Sequence, residues 1–160
     1  MKRLWAPWRI DYVRAPVPAV CIFCAKPREN QDEKNFILFR GQFNFIILNV
    51  YPYNPGHLMV VPFRHLAWLE ETGDEERNEH YHLVSRAVGI LRQSCGTDSF
   101  NIGMNLGRTA GAGIDDHIHT HVVPRWNGDN NFMPVIGETR VISESLEDIY
   151  RRLNAKFAGE

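Results

Sequence analysis

Three histidines alternate along the chain at positions 117, 119 and 121, in the run HIHTHVVPRW. If this run is a β-strand, a spacing of two directs all three imidazole rings to the same face of a sheet. A neutral imidazole is a good nucleophile toward phosphorus, and a neighbouring imidazole can carry a proton near neutral pH. The pattern predicts covalent catalysis at phosphorus, with the central His119 as nucleophile and an outer histidine, His117 or His121, contacting phosphate oxygens. The alternative is a polar strand face of satisfied surface histidines.

A glycine-rich loop, GRTAGAGIDD, directly precedes the histidine run. Gly111 and Gly113 can expose consecutive backbone N–H groups, which cradle phosphate oxygens without cationic side chains. A Gly-Ala-Gly sequence alone is more often a simple turn, so its place beside the histidines is what favours a phosphate site.

Cys21 and Cys24 have the spacing of metal ligands, but one pair is only half of a site. We expect His65 and His117 to supply the other two ligands of a closed Cys₂His₂ structural Zn²⁺ site. The rival interpretations are a thioredoxin-like redox pair or two unligated thiols. A redox pair is disfavoured because the cysteines follow a proline-rich arm, and not a strand that opens a helix.

Three further polar side chains stand next to predicted turns. His57 follows Pro55-Gly56 and opens a strand, where it either hydrogen-bonds the active-site histidines or the substrate, or simply caps the strand end. Asn49 and Asn105 end strands beside turns, where asparagine is common for backbone reasons. Each asparagine could equally present its amide to a ribose or a phosphate.

Five short segments have the composition of strands, and they are separated by turns that are rich in glycine and proline. Gly41-Gln42 is a hairpin signal between the first two segments, and Pro62 is expected to mark the end of the third. The segments are 36–40, 43–50, 57–63, 99–105 and 117–124.

A long helix is predicted from Asp74 to about Cys95, with an acidic first turn typical of a capped start. On it we expect His80 and His82 at the surface and Cys95 in the core. Its apolar residues recur at intervals of three and four: Tyr81, Val84, Ala87, Val88 and Leu91.

A second helix is predicted over 144–157, with Ser145 and Asp148 as its capping pair. Its apolar positions are Leu146, Ile149, Tyr150, Leu153 and Phe157. Short-turn strands with one inserted helix and one terminal helix give an α+β fold with a largely antiparallel sheet.

Composition bounds the class of protein. The chain has 160 residues, 44% hydrophobic and 23% charged, which suits one globular domain. A net charge of −1 lacks the excess of positive charge that is typical of proteins that bind a nucleic-acid polymer. No apolar run approaches the roughly 20 residues that span a bilayer, and the start lacks the apolar core of a secretory signal.

Two other features of composition complete this picture. Three cysteines do not make a disulfide framework, and they fit a reducing cytoplasm. The first twenty residues, with Trp5 and Trp8, should form an irregular arm that packs on the body or on a second subunit.

Taken together, these motifs resemble a known family. HIHTHVV resembles the alternating signature of the histidine triad superfamily of nucleotide hydrolases and transferases, with Thr120 as its less apolar position. LNVYPYNPGHLMVVPFRH is similar to the central hairpin of that family, and CIFC with His65 to its zinc-binding version. The segment NIGMNLGRTAGAGIDDHIHTHVVPRWNGDNNFMPVIG, with the WAPWR arm, resembles a bacterial branch that includes diadenosine tetraphosphate phosphorylases.

The resemblance implies a role for each candidate residue. His119 would take up the nucleotidyl group, while His121 and His57 would contact phosphate or support the triad. Asn49 matches a ribose-contacting position, and Asn105 a position that helps to hold the phosphates. The zinc ligands would be Cys21, Cys24, His65 and His117.

The implied fold is a five-stranded antiparallel sheet with one long central helix and a C-terminal helix, usually as a homodimer. The whole chain, 1–160, would be one domain: an arm over 1–20, a core over 21–126 and an extension with a helix over 127–160. The loop departs from the hydrolase pattern Gly-Gln-Ser/Thr, because Gly111-Ala112-Gly113-Ile114 keeps only backbone donors, as in the phosphorylase-like branch.

The expected reaction is therefore cleavage of a dinucleoside polyphosphate through a nucleotidyl-histidine, with phosphate or water as acceptor. The partner would be a small adenine dinucleotide or mononucleotide. One alternative is hydrolysis of nucleoside phosphoramidates or adenylated adducts. Another, from a different class, is a nucleotide-binding module without catalysis.

Overall fold

A computed structural model describes residues 20–111, 113–114, 116–129 and 144–159. The predicted arm, with Trp5 and Trp8, lies outside the described residues except at Val20. Among the described helices, none combines the length and the apolar composition that crossing a membrane requires.

Five strands form one open sheet in the order β1-β2-β3-β5-β4, and every neighbouring pair is antiparallel. This arrangement confirms the predicted α+β class and the antiparallel sheet. β1 and β2 form the expected hairpin around Gly41-Gln42, and β3 ends at the expected proline. The strands are β1 Ile37–Arg40, β2 Asn44–Leu48, β3 Leu58–Pro62, β4 Ser99–Met104 and β5 Thr120–Arg125.

Within the described residues, four α-helices accompany the sheet: α1 Ile22–Arg28, α2 Asp32–Asn35, α3 Asp74–Cys95 and α4 Leu146–Ala158. Both predicted helices are present with the predicted caps, since the Glu76 carboxylate accepts from the Gly73 amide and the Ser145 hydroxyl accepts from the Asp148 amide. The two short helices are absent from the sequence prediction. They are too short to show a 3.6-residue period, and α1 contains a proline at position 27.

The sheet is covered on both faces. On one face, which we call the helix face, α3 and α4 pack on Leu48, Leu58 and Val122. On the other, which we call the site face, Phe23 of α1 packs with Ile47 and Met59 among others. Every residue of β2 and β3 is buried, which explains why both strands are almost continuously apolar instead of alternating.

The histidine strand is shorter than predicted, because β5 begins at Thr120 and not at residue 117. The Ile118 amide donates to the Leu66 carbonyl (2.7 Å), and the His117 ring bonds the Pro62 carbonyl (2.9 Å). Residues 117 and 118 therefore bind the end of β3 and the segment after it, and do not continue the ladder.

The face of α3 that contacts the sheet also differs from the prediction. His80, expected at the surface, is buried, whereas Tyr81, expected in the core, is 59% exposed. The buried face carries Leu83 and Ile90 beside the predicted Val84, Ala87 and Leu91. His82 is exposed as expected, and Cys95 is half-buried against the helix-face core. His80 tolerates burial because both of its ring nitrogens have hydrogen-bond partners.

Candidate functional site

Three imidazoles meet on the site face of the sheet. The rings of His119 and His121 are 4.8 Å apart between centroids, and those of His121 and His57 are 5.0 Å apart. His121 pairs across strands with Met59, a site-face residue. Phe23 of α1 lies 4.9 Å from the His119 ring and helps to bury it.

Hydrogen bonds fix the tautomers of His57 and His121. The Tyr53 amide donates to Nδ1 of His57 (3.1 Å), so the proton of this imidazole lies on Nε2. That Nε2–H then donates to Nδ1 of His121 at 2.9 Å. In its neutral form His121 therefore carries its own proton on Nε2. The backbone turn thus determines the donor that His121 offers.

His119 has the opposite tautomer. Its Nδ1–H donates to the His117 carbonyl at 2.8 Å, which leaves the lone pair on Nε2. Burial lowers the pKa of His119, although the bond to the carbonyl of His117 raises it in part. Burial, followed by the neighbouring His119, lowers the pKa of His121 to about 4. Both rings are therefore neutral at pH 7, as a nitrogen nucleophile requires.

His57 is held in place by the turn before it. Asn54 is buried and donates to the Pro124 carbonyl (2.9 Å) and to the Asp129 carboxylate (2.8 Å), which ties the turn to the end of β5. Hydrogen bonds from Arg125 lower the pKa of Asp129, so this anchor stays ionised. Gly56 has φ +77°, and a Cβ there would lie only 3.2 Å from the Cys95 sulfur.

The two asparagines have different surroundings. Asn49 Oδ1 accepts from the Tyr51 amide at 2.9 Å, which is the backbone role considered for it. Asn105 directly follows Met104, which pairs with Thr120 in the ladder. Asn105 is therefore the first residue after the end of β4, one position beyond the residue that pairs with Thr120.

The glycine-rich loop does not present the expected pair of free amides. Residues 108–110 form a 3₁₀ turn, and the Gly111 N–H donates to the Arg108 carbonyl at 3.0 Å. That N–H is therefore committed inside the loop, and Gly111 has φ +89° as the residue that ends the turn. Gly113 is exposed, and Ile114 after it packs on the site-face core. The loop thus reaches the site face through Ile114.

Four potential metal ligands form a second cluster beside the triad. One donor atom from each of Cys21, Cys24, His65 and His117 lies within 4.8 Å of the others. The Cys21 sulfur is 3.3 Å from Nδ1 of His117, and the Cys24 sulfur is 3.3 Å from Nδ1 of His65. Ligands around a tetrahedral zinc are separated by about 3.5 Å, so these spacings fit such an ion.

Both histidines of this cluster direct a lone pair at the sulfurs. Nε2–H of His117 donates to the Pro62 carbonyl, so its Nδ1 is unprotonated. Nε2 of His65 lies 3.5 Å from the Asp116 carboxylate, which favours the same tautomer. A second hydrogen bond of this kind is usual for histidines that bind metals. Burial raises the pKa of Cys21, and a cation would favour its thiolate.

The cysteine pair also has a feature that the sequence prediction missed. Cys21 is the N-cap of α1 and Cys24 lies in its first turn, so the pair does open a helix. The reason given above against a redox pair, an arm and not a strand before the cysteines, concerns residues outside the described part of the chain and stays a prediction. Two imidazole Nδ1 atoms in contact with the sulfurs favour metal binding instead.

A family model described as the HIT domain matches residues 30–128 of the chain. The chain belongs to the HIT domain family. This HIT protein is 39% identical over 166 aligned positions to an AP-4-A phosphorylase of Mycobacterium tuberculosis, covering 99% of its own chain and 85% of that relative. It is 24% identical to the adenosine 5'-monophosphoramidase HNT1 of Saccharomyces cerevisiae, covering 91% and 87% of the two chains.

Solved structures agree with this assignment. A Zn-bound histidine triad family protein from Mycobacterium smegmatis has a TM-score of 0.70 and 28% sequence identity, covering 87% of this HIT protein and 94% of that chain. The histidine triad resemblance and the fold that it implied are thereby confirmed, and the relatives named above are nucleotide-processing enzymes.

Some residues that shape the site of this HIT protein were not singled out from sequence. Asn54 and Asp129 anchor the turn before His57, and Asp116 contacts His65. An acidic residue directly before the histidine run was a usable signal for Asp116. No comparable signal exists for Asn54, because its partners are 70 and 75 residues away in the chain.

Proposed function

We propose that this protein transfers a nucleotidyl group from a dinucleoside polyphosphate of the diadenosine tetraphosphate type, through a covalent intermediate on His119, to phosphate or water. One observation carries the proposal: the His117 carbonyl holds the proton of His119 on Nδ1, which leaves the Nε2 lone pair for attack. The 39% identical relative named as an AP-4-A phosphorylase supports this choice of substrate class.

In the first step, the Nε2 lone pair of His119 attacks the α-phosphorus of one nucleoside. A P–N bond forms, the P–O bond to the bridging oxygen breaks, and the departing nucleotide takes that electron pair. From diadenosine tetraphosphate this step gives an adenylyl-histidine and ATP.

In the second step, an oxygen of inorganic phosphate or of water attacks the same phosphorus. The P–N bond breaks and its electrons return to Nε2 of His119. Phosphate as acceptor yields ADP, whereas water yields AMP and releases one proton. The two acceptors are therefore distinguished by their products.

We assign the remaining site residues to charge stabilisation and orientation. Nε2–H of His121 is available to donate to a phosphate oxygen, since its Nδ1 accepts from His57. Asn105, which directly follows β4 beside the start of β5, would hold the phosphates, and Asn49, which directly follows β2, would contact a ribose. Gly113 would offer its amide, while Gly111 would only shape the loop.

His117 takes part in a different way from that expected of an outer histidine. Both of its ring nitrogens are engaged, Nε2 with Pro62 and Nδ1 with the two sulfurs. We therefore propose that His117 acts in catalysis through its backbone carbonyl, which orients His119, and that its ring serves the metal cluster.

The decisive experiment is incubation with diadenosine tetraphosphate, with and without inorganic phosphate, followed by identification of the products. We expect ATP plus ADP with phosphate, and ATP plus AMP without it. His119→Ala should lower turnover by several orders of magnitude, because loss of a nucleophile is not compensated by binding. His82→Ala, an exposed histidine on α3, is the matched control. Turnover by His119→Ala at a rate comparable to wild type would reject the proposal.

The two alternatives are separated by related measurements. In the first alternative, His119 would attack an adenosine phosphoramidate in the same way, with an amine as leaving group. The ratio of kcat/KM for this substrate and for diadenosine tetraphosphate therefore distinguishes a phosphoramidate hydrolase from the proposed enzyme. A binding module without catalysis would bind nucleotide but yield no nucleotidylated protein in a rapid-quench experiment.

We also propose that the Cys₂His₂ cluster binds a structural Zn²⁺, held by Cys21, Cys24, His65 and His117. The ion would supply positive charge that stabilises two thiolates and would link α1 to the histidine segment. The Zn-bound neighbour supports the identity of the metal. Metal analysis of protein purified without added zinc should give about one equivalent per chain. Absence of metal, with both thiols reactive, would contradict the assignment.

The edge of the sheet at β4 is the surface on which we propose that the chain dimerises. β4 is an edge strand with Asn101, Ile102 and Gly103 exposed, and Ile102 is 51% exposed. Such an edge is suited to a second copy of the chain, so we propose a homodimer of single-domain chains, each with an arm over 1–20, a core over 21–126 and an extension over 127–160. The molar mass in solution, for wild type and for Ile102→Lys, tests the dimer.

A reducing, cytoplasmic location fits Cys21, Cys24 and Cys95, which form no disulfide with one another. We propose it together with a small adenine nucleotide as partner.

A further inference from the structure

A buried polar chain crosses from α3 to the histidine strand on the helix face of the sheet. His80 bonds Thr120 through Nε2···Oγ1 at 2.6 Å and Asn44 through Nδ1···Oδ1 at 2.8 Å. All three residues are at most 5% exposed. We propose that His80 is a positioning residue for the triad, which acts through Thr120 to fix where β5 begins and hence the relative placement of His119 and His121.

Every hydrogen bond in this chain has a defined direction. The amide nitrogen of Asn44 donates to the Glu76 carbonyl (3.0 Å) and to the Glu79 carboxylate (2.9 Å), so its Oδ1 accepts. Nδ1–H of His80 is therefore the donor to Asn44, and Nε2 of His80 accepts the hydroxyl proton of Thr120. A network with all of its partners satisfied gives one preferred geometry, because each misplacement leaves a buried polar group unpaired.

Thr120 occupies a critical place in the strand. It is the first residue of β5, pairs with Val60 on one side and Met104 on the other, and separates the two reactive histidines. His119 lies just outside the ladder and His121 inside it. The ladder holds His121 but does not hold His119. A shift of Thr120 along the strand would therefore change the distance between these two rings.

The chemistry of His80 suits a hydrogen-bonding role and not a charged one. Burial lowers the pKa of His80 to about 4, although Glu76 and Glu79 raise it in part. The ring is therefore neutral and both donates and accepts. An apolar pair at this point of the helix–sheet contact would satisfy packing, but it would not fix Thr120 along the strand direction.

The inference rests on the proposed nucleotidyl transfer, so its test has one readout that depends on activity and one that does not. The variants are Thr120→Val, which removes the hydroxyl at nearly constant shape, Thr120→Ser, which keeps it, and His80→Phe. The double variant Thr120→Val/His80→Phe completes a cycle, and His82→Phe is the control on the exposed face of α3.

In the first readout, the single-turnover rate of nucleotidyl-histidine formation is measured with diadenosine tetraphosphate, next to KM and the unfolding midpoint. We expect a 10- to 100-fold lower rate for Thr120→Val and His80→Phe, with KM within about twofold, since binding groups are unchanged. The double variant should lose little more than either single variant, and Thr120→Ser should keep most of the rate. A wild-type rate in variants whose only change is a lower unfolding midpoint would overturn the proposal, because His80 would then serve stability alone.

The second readout uses the ¹⁵N–¹H NMR signals of the histidine rings without substrate. Thr120→Val should shift the ring signals of His119 and His121, whereas His82→Phe should not. Unchanged ring signals in Thr120→Val would overturn the inference even if the wild-type protein turns over its substrate. If wild type forms no nucleotidyl-histidine, the proposed function fails, and the ring signals still decide the positioning role.

Discussion

The same residue type takes different roles here because backbone groups set the protonation of each ring. The Tyr53 amide bonds Nδ1 of His57, the His117 carbonyl bonds Nδ1 of His119, and the Pro62 carbonyl bonds Nε2 of His117. A carbonyl selects the ring nitrogen that keeps the proton, and an amide selects the one that loses it. These bonds leave an N–H donor on Nε2 of His57, a free lone pair on Nε2 of His119 and a free lone pair on Nδ1 of His117.

At this scale we predict that His57→Phe lowers kcat by roughly 10- to 100-fold with little change in KM. The variant removes the Nε2–H that orients His121, so the donor to the phosphate is no longer held. Steady-state kinetics with diadenosine tetraphosphate measures the effect. His57→Gln, whose amide can still donate, should recover part of the rate.

His82→Phe serves as the control for this pair, since His82 is exposed on α3. Equal kcat for His57→Phe and His57→Gln would show that the hydrogen bond to His121 is not what His57 contributes.

At the scale of elements, one carboxylate joins α3 to the β1–β2 hairpin. Glu79 accepts from the amides of Gln42 (2.6 Å), Phe43 (2.8 Å) and Asn44 (2.8 Å). Burial raises the pKa of Glu79, but the bonds from the Asn44 side chain and from these amides outweigh it and lower the pKa overall. Gly41 is required beside it, because a Cβ there would lie 2.6 Å from the carboxylate.

We therefore predict that Glu79→Gln lowers the free energy of unfolding by about 2 kcal/mol at pH 7, since hydrogen bonds to a charged group are lost and an amide NH₂ faces N–H donors. Urea unfolding measures the change. Glu75→Gln, on the exposed first turn of the same helix, should change it by less than about 0.5 kcal/mol. Equal effects of the two substitutions would exclude this link as a source of stability.

The buried His80, which links α3 to β5, leads us to predict that the free energy of unfolding depends on pH. The pKa of His80 is about 4 in the folded protein, against about 6.5 when unfolded, so between these values the unfolded chain binds the extra proton. Stability is thus unaffected above pH 6.5 and falls as the pH drops toward 4, by up to about 3 kcal/mol from this residue.

Urea unfolding at pH 7.5, 5.5 and 4.5 tests this expectation. His80→Phe should lose less stability on acidification than wild type, and His82→Phe should lose the same amount as wild type. Parallel curves for wild type and His80→Phe would mean that His80 is protonated without penalty in the folded state.

At the scale of the whole molecule, the Cys/His cluster connects segments that are far apart in sequence. It joins the start of α1, the segment after β3 and the residue where the chain approaches β5, with separations of 41 and 96 residues between contacting pairs. A bound ion would close these loops in the folded chain only, so it would stabilise that state.

We predict that a strong chelator lowers the Tm by roughly 10 °C, because losing several kcal/mol shifts the Tm of a chain of this size by 2–4 °C per kcal/mol. Differential scanning calorimetry measures the shift. Cys24→Ser should have a low Tm with or without chelator, whereas Cys95→Ser, outside the cluster, should respond as wild type does. A Tm that chelator leaves unchanged in wild type would argue against a structural metal.

Local signals in the sequence predicted much of the fold. The hairpin at Gly41-Gln42, the end of β3 at Pro62 and the capped helices α3 and α4 all follow from local rules of turn, proline and capping chemistry. The short α1 and α2 escaped these rules, because one or two turns carry no readable period.

Among the site residues, alternating histidines and a Cys-x-x-Cys pair are local patterns, so they identify from sequence which side chains are chemically able to act. The contacts that each of these side chains makes are visible only in the fold. The ring of His117, expected to flank the nucleophile, bonds the Pro62 carbonyl instead, and His80, expected at the surface, is buried against Asn44 and Thr120. These partners lie 36 to 55 residues away in the chain. The tautomer and the burial of a histidine ring depend on such distant neighbours, and residue spacing along the chain does not reveal either property.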